Sequence, residues 1–175
     1  ERVPTVFERC MEQIKRKHGI PLHDIVVTSL GAPIHAQRIA PLMDADFIPM
    51  PSMKPHKYKT IYLLGWYASI DQEDIQREIS HIRVFADPLK KGQPADAVRV
   101  IHWIGSDAAL LGDKTMNGMK AMKGLFGHLN VLHLCECEWI KQELHESGIE
   151  ATILPLPISE KIEMTPLPER FTVGI

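Results

Sequence analysis

The chain is predicted to fold as an α/β protein with a Rossmann-like, doubly wound, mainly parallel sheet and helices on both faces. Its candidate strands are short and almost entirely apolar, as at 25–30 and 60–64, which is typical of strands buried on both faces. Amphipathic helical patterns separate them, and this alternation is the pattern of a parallel sheet. The 175 residues are long enough for one domain with a full core.

The elements follow one another in a regular order. Residues 5–17 are predicted to form an amphipathic helix, because their apolar side chains recur at helical spacing. Strands at 25–30 and 60–64 end at Gly31 and Gly65. The later predicted elements are a helix at about 69–86, strands at 98–104, 130–134 and 151–154, and a helix at 137–147 capped by Gly148.

Composition and charge exclude several classes of protein. A net charge of -2 argues against a general nucleic-acid binder, which needs a surplus of basic side chains on one face. Three cysteines are too few and too unevenly placed for a disulfide framework, so we expect a reducing, cytoplasmic environment. No apolar run approaches the ~20 residues of a membrane span.

The common catalytic motifs are missing from the sequence. It contains no G-x-G-x-x-G, no G-x-x-x-x-G-K-[ST], no G-x-S-x-G and no H-E-x-x-H. This argues against a typical dehydrogenase, P-loop nucleotide hydrolase, α/β-hydrolase or zinc protease. No catalytic residue, metal or cofactor is therefore assigned from the sequence.

Three small polar loops follow predicted strands, at 31–35, 65–67 and 105–107. They would lie on the same edge of a parallel sheet, where ligands bind in this fold class. Glycine there lets a ligand approach the backbone, and Ser106 and Asp107 can hydrogen-bond a hydroxyl-rich ligand. Either residue can instead cap the next helix, which is the commoner role of these residue types. The candidate binding residues are Gly31, Ala32, His35, Gly65, Trp66, Gly105, Ser106 and Asp107.

The order of the segments in the second half resembles a known family. The segments are 100–107 (VIHWIGSD), 138–144 (EWIKQEL), Gly148-Ile149 and 154–157 (LPLP). Together they resemble the N-terminal half of a GT-B-fold glycosyltransferase of the retaining, nucleotide-sugar-dependent kind, most specifically from about 98 to 175. The family commonly has serine where this chain has Cys137, and its first strand usually lies at the very N-terminus.

The resemblance implies one half of an enzyme in which two Rossmann-like domains face each other across a cleft. The N-terminal domain shapes the side of the cleft that binds a sugar or lipid-linked acceptor, and the C-terminal domain makes most contacts to the nucleotide-sugar donor. By position, 105–107 match a cleft loop, and Gly31 with its neighbours matches the loop near the acceptor. A free-standing Rossmann-like or flavodoxin-like binding or interaction domain, without catalysis, is the alternative.

The two ends of the chain predict its domain organisation. Residues 1–154 are expected to form the Rossmann-like domain, and 155–175 a proline-rich linker followed by the first strand toward a further domain. In that strand Phe171, Val173 and Ile175 alternate with smaller residues. We therefore expect this chain alone to lack transferase turnover.

Two other segments allow more than one interpretation. His133, Cys135 and Cys137 alternate, but a fourth ligand at a recognised spacing is lacking, so we expect core packing and no metal site. His102 is interpreted as a buried, hydrogen-bonded histidine rather than a catalytic base, although a histidine near the cleft is a natural proton carrier. Residues 114–128 carry lysines and no acid, which fits peripheral contact with the inner face of a membrane, a core-facing helix or a mobile loop at the cleft.

Overall fold

The computed structural model describes residues 3–4, 6–19, 24–29, 32–52, 57–65, 98–105, 107–109 and 131–156. The described helices are α1 (Val6–His18), α2 (Pro33–Ile39) and α3 (Glu138–Glu146). The strands are β1 (Ile25–Thr28), β2 (Asp46–Phe47), β3 (Thr60–Leu64), β4 (Val98–Trp103), β5 (Val131–Cys135) and β6 (Ala151–Ile153). Short 3-10 turns at Ala40–Met43 and Met50–Ser52 flank β2.

The strands form one six-stranded sheet in the order β2-β1-β3-β4-β5-β6. Every neighbouring pair is parallel. The sheet and its helices confirm the predicted α/β, Rossmann-like fold. The chain passes from β1 to β2 on one side and then returns to β3 on the other side of β1. The direction of winding therefore reverses between β1 and β3.

Each face of the sheet has its own core, because successive side chains of a strand point to opposite faces. On one face Val27 of β1 and Tyr62 of β3 belong to the same buried cluster as Met11 of α1 and Ile39 of α2. On the other face the cluster includes Ile61 and Leu63 of β3, and Ile140 and Leu144 of α3. Helices thus cover both faces, as a doubly wound sheet requires.

The helices with a clear apolar stripe lie close to their predicted bounds. In α1, Phe7, Met11 and Ile14 are buried against the sheet, as the spacing predicted. α3 ends where predicted, because Gly148 adopts a left-handed conformation (φ 78°) and its N–H donates to the His145 carbonyl at 2.8 Å. The strands agree with their predicted ranges to within two residues.

Two elements were not predicted, α2 and β2. α2 has seven residues and β2 has two, so neither is long enough to show a hydrophobic period. β2 lies at the edge of the sheet and begins with the exposed Asp46. The predicted helix at 69–86 and the segments 114–128 and 157–175 lie outside the described residues. Within the described ranges no helix is long and apolar enough to span a membrane.

Candidate functional site

The candidate site lies at the carboxyl edge of the sheet, beside the reversal between β1 and β3. In open α/β sheets, crossovers on opposite faces leave a crevice at such a point, and ligands bind there. Ser29, Gly65 and Ile104 are the first residues after β1, β3 and β4. Because all three strands are parallel, these residues leave the sheet at the same edge.

The three loops come into contact at Gly65. This residue has a φ of +63°, and a Cβ there would lie 2.6 Å from Ile104 Cδ1 and 3.2 Å from Ala32 Cβ. Its N–H donates to the His102 carbonyl at 2.9 Å, which attaches the β3 loop to the end of β4. Position 65 therefore requires glycine for two reasons: the backbone is left-handed, and a Cβ would collide with Ile104. The structure therefore brings Ala32, Gly65 and the 104–105 loop together, as predicted for one edge.

The loop after β1 is held by Ser29. Its Oγ accepts a hydrogen bond of 2.7 Å from the Ala32 N–H, which closes the turn leading into α2. Thr28, the last residue of β1, is fully buried, and its Oγ1 has no hydrogen-bond partner among the described residues. This oxygen is enclosed by the core, so it adds no ligand contact to the crevice.

Asp107 folds back onto the loop that precedes it. Its Oδ1 accepts hydrogen bonds from the N–H groups of Gly105 at 2.8 Å and Ala108 at 3.0 Å, and the Ile104 N–H lies 3.2 and 3.3 Å from its two oxygens. The side chain is buried and begins a helical turn at 107–109. Asp107 therefore shapes the preceding loop by satisfying its backbone donors, which differs from an N-cap, whose side chain bonds N–H groups further along the following helix. A Cβ at Gly105 would meet nothing within 4 Å, so the backbone there faces open space.

Glu136 is a candidate residue that the sequence analysis missed. It directly follows β5, and its N–H donates to the Trp103 carbonyl at 3.3 Å. Burial raises the pKa of its half-buried carboxyl; His35 lowers that pKa, and Asp107 raises it further. The pKa of Glu136, which follows β5, thus responds to charges on residues that follow β1 and β4. The signal was present in the sequence, because Glu136 follows an apolar strand just as the 104–107 loop does.

Two adjacent strands each contain a histidine: His102 in β4 is fully buried, and His133 in β5 is half-buried. The Tyr62 hydroxyl and His102 Nδ1 share a 2.7 Å hydrogen bond, whereas His102 Nε2 has no partner among the described residues. The Trp103 indole N–H donates to His133 Nδ1 at 3.2 Å. Burial lowers the pKa of His102 to about 3 and that of His133 to about 4. Both rings are therefore neutral at pH 7, and the predicted burial of His102 is confirmed.

The cysteines of the second half occupy different environments. Cys135 ends β5 inside the core, and burial raises the pKa of its thiol to about 11. Cys137 precedes α3 as its N-cap, without a capping hydrogen bond from its side chain. No group of three or more His, Cys, Asp or Glu that could hold a metal ion occurs among the described residues.

The predicted site residues have different positions in the structure. Ala32, Gly65, Gly105 and Asp107 lie at the carboxyl edge, and His35 is exposed on the first turn of α2. Gly31, Trp66 and Ser106 lie outside the described residues. A separate groove of about 500 Å³ along α1 contains none of the predicted residues.

Comparison with models of known protein families found no match to this chain. Comparisons with curated proteins and with solved structures likewise found none with significant similarity.

Proposed function

We propose that this chain is the acceptor-side domain of a retaining glycosyltransferase with a GT-B fold, which transfers a sugar from a nucleotide-sugar donor to an acceptor. The observation that supports this most is the meeting of the loops after β1, β3 and β4 at Gly65. They form one wall of a crevice at the point where the sheet reverses direction. This is the edge at which the sequence resemblance places the cleft.

The two carboxyl groups at this edge favour the binding of a sugar acceptor over the binding of a nucleotide-sugar. Asp107 and Glu136 both lie at the edge, and each raises the cost of a negative charge near it. Carboxylates repel the phosphates of a nucleotide-sugar but accept hydrogen bonds from sugar hydroxyls. In this proposal the donor phosphates are bound by the second domain.

The experiment is a transfer assay with the complete protein and a panel of nucleotide-sugar donors, read by mass spectrometry of the acceptor. We expect transfer from at least one donor with retention of anomeric configuration. Inversion of the anomeric centre would contradict the retaining assignment, and the absence of transfer from every donor would contradict the enzyme assignment.

The division of labour between domains is tested by residues 1–175 expressed alone. We expect no sugar transfer from this chain, because in this proposal the second domain makes most of the contacts to the nucleotide-sugar donor. The complete protein assayed under the same conditions is the control. Robust transfer by the 1–175 chain would overturn the proposed roles of the two domains.

One observation favours the second candidate, a flavodoxin-like binding domain without catalysis. The order β2-β1-β3-β4-β5 is the flavodoxin-like strand order, which β6 extends by one strand. In that case the complete protein binds a small molecule at the carboxyl edge and transfers nothing. Calorimetric titration with flavin and nucleotide ligands distinguishes this candidate from the first.

A further inference from the structure

We propose that Ala32, Gly65 and Ile104 form an apolar subsite at the carboxyl edge of the sheet, which binds an alkyl group of the acceptor. This inference rests on the proposed function, because it narrows the acceptor to a sugar that carries an aliphatic chain. We call these three residues the Gly65 junction.

Two apolar side chains converge on the Cα of Gly65. A Cβ at this glycine would lie 2.6 Å from Ile104 Cδ1, 3.1 Å from Ile104 Cγ1 and 3.2 Å from Ala32 Cβ. The side chains of Ala32 and Ile104 therefore meet over Gly65 from the loops that follow β1 and β4. Ile104 is only half-buried there, so the junction presents aliphatic surface at the edge where ligands bind in this class of sheet.

The backbone N–H groups at this point are already hydrogen-bonded within the protein. In the loops after β1 and β3 the acceptors are Ser29 Oγ at 2.7 Å and the His102 carbonyl at 2.9 Å. In the loop after β4 the acceptor is the Asp107 carboxylate, at 2.8 to 3.3 Å. The N–H groups concerned are those of Ala32, Gly65, Ile104 and Gly105.

These bonds determine which ligand group the junction can recognise. A loop that binds a phosphate or another anion aims several backbone N–H groups at it. At the Gly65 junction those groups bond the loops themselves, and the surface that remains is made of the aliphatic carbons of Ala32 and Ile104. The junction therefore suits an aliphatic group and not an anion.

The chain beside the junction leaves room for such a group. Gly105 directly follows Ile104, and a Cβ at Gly105 would meet nothing within 4 Å. An alkyl chain that contacts Ile104 can therefore continue past the Gly105 backbone without meeting a side chain of this loop.

A polar group lies next to the junction. The Glu136 N–H donates to the Trp103 carbonyl at 3.3 Å, which places Glu136 beside the residue that precedes Ile104. Its half-buried carboxyl can accept hydrogen bonds from sugar hydroxyls and repels an anionic head group. A carboxyl group beside an aliphatic surface matches a neutral alkyl glycoside.

The size of the expected effect follows from the apolar surface that the alkyl chain buries. Each methylene removed from water strengthens binding by up to about fourfold. With about two methylenes in contact with the junction, an octyl glycoside should bind roughly tenfold more tightly than the methyl glycoside of the same sugar.

The test uses the complete protein with carbon-13 in the δ1 methyl groups of isoleucine. It is titrated with methyl and octyl glycosides of glucose, mannose, galactose and N-acetylglucosamine, each octyl glycoside below its critical micelle concentration. Ile104→Val, which lacks Cδ1, identifies the Ile104 resonance. At least one octyl glycoside is expected to shift that resonance saturably, at roughly tenfold lower concentration than its methyl counterpart.

Ile104→Val and Ile104→Thr form a matched pair, because valine and threonine have the same shape and differ by a methyl group against a hydroxyl. Calorimetry should show octyl glycoside binding about three- to fivefold weaker in Ile104→Thr than in Ile104→Val. Binding of the methyl glycoside should be equal in the two variants. Thermal unfolding checks that each variant is folded. If Ile104→Thr unfolds, nuclear Overhauser contacts between the octyl chain and the Ile104 δ1 methyl of the unmodified protein replace it.

Ile153 provides the control position for this pair. It is also half-buried, but it ends β6, two strands away from β4, and packs against the core cluster of the other face of the sheet. Ile153→Val and Ile153→Thr should bind the octyl glycoside equally.

Three results would overturn the subsite. They are equal affinities for methyl and octyl glycosides, equal octyl glycoside binding by Ile104→Val and Ile104→Thr, or an equal shift at Ile34. Ile34 is 63% exposed, so its resonance reports general adsorption of the alkyl chain to the surface.

The donor assay separates failure of the subsite from failure of the proposed function. Sugar transfer to methyl and octyl acceptors with equal KM removes the subsite and keeps the transferase. Saturable octyl glycoside binding at Ile104 without transfer from any donor keeps the subsite and removes the transferase.

Discussion

The side chain of Asp107 is buried, and backbone N–H groups supply the hydrogen bonds that its oxygens would otherwise lose. Replacing it by alanine would leave the Gly105 N–H without its acceptor, whereas the Ala108 N–H would keep its hydrogen bond to the Gly105 carbonyl at 3.0 Å. We expect Asp107→Ala to lower the free energy of unfolding by about 2–3 kcal/mol. Asp107→Asn should cost less, because the amide oxygen still accepts a hydrogen bond. Urea denaturation measures both, and an equal effect of the two substitutions would contradict the role of the Asp107 side-chain oxygen as an acceptor for the loop.

Gly65 and Gly19 allow a matched test of crowding at the site. Both have a φ of +63°, but a Cβ would meet Ile104 only at Gly65, whereas at Gly19 it would meet nothing within 4 Å. Gly19→Ala should cost roughly 1–2 kcal/mol for the left-handed backbone alone. Gly65→Ala should cost more, and part of that difference should return in the double variant with Ile104→Val, which lacks Cδ1. Equal costs of the two glycine substitutions in thermal unfolding would show that the loops do not meet there.

The adjacent strands β4 and β5 each contain a histidine that burial keeps neutral. The folded pKa values of His102 and His133, about 3 and 4, lie below the usual value of 6.5. As pH falls below 6.5 the unfolded chain takes up protons that the folded chain does not, so stability decreases. Each ring should remove roughly 1 kcal/mol per pH unit between pH 6 and pH 4.

This prediction is measured by urea denaturation as a function of pH. His133→Gln should reduce the slope of stability against pH by about half of the two-ring effect. The control is His18→Gln, since His18 is exposed at the end of α1. A slope that is unaffected by His133→Gln would contradict the neutral, buried state of that ring.

At the scale of elements, the length of each helix or strand decided whether the sequence could predict it. α1 and α3 have 13 and nine residues, which is enough to display an apolar face at helical spacing. β3 is apolar almost throughout because both faces of the sheet are covered, whereas β4 also contains Arg99 and His102. α2 and β2 are too short for such a pattern, and they are held by the turn at Ser29 and by pairing with β1. Their existence depends on contacts that no local window contains.

At the scale of the whole molecule, the strand order decides where the site lies. The two-residue β2 pairs with β1 on the side away from β3, and that pairing creates the reversal beside the crevice. A connection from one parallel strand to the next can lead to either side of the sheet, so a sequence of strands and helices does not specify the order.

The sequence by itself determined the fold class, the longer helices and strands, and which loops follow strands, because continuous apolar runs and a hydrophobic period of 3.6 residues are local properties of the chain. It thereby predicted that Ala32, Gly65 and Gly105 share one edge. The tertiary structure alone decided that Asp107 turns back to bond its own loop and that His35, about 100 residues away in the chain, influences the pKa of Glu136. These relations depend on strand order and on the packing of side chains from distant segments.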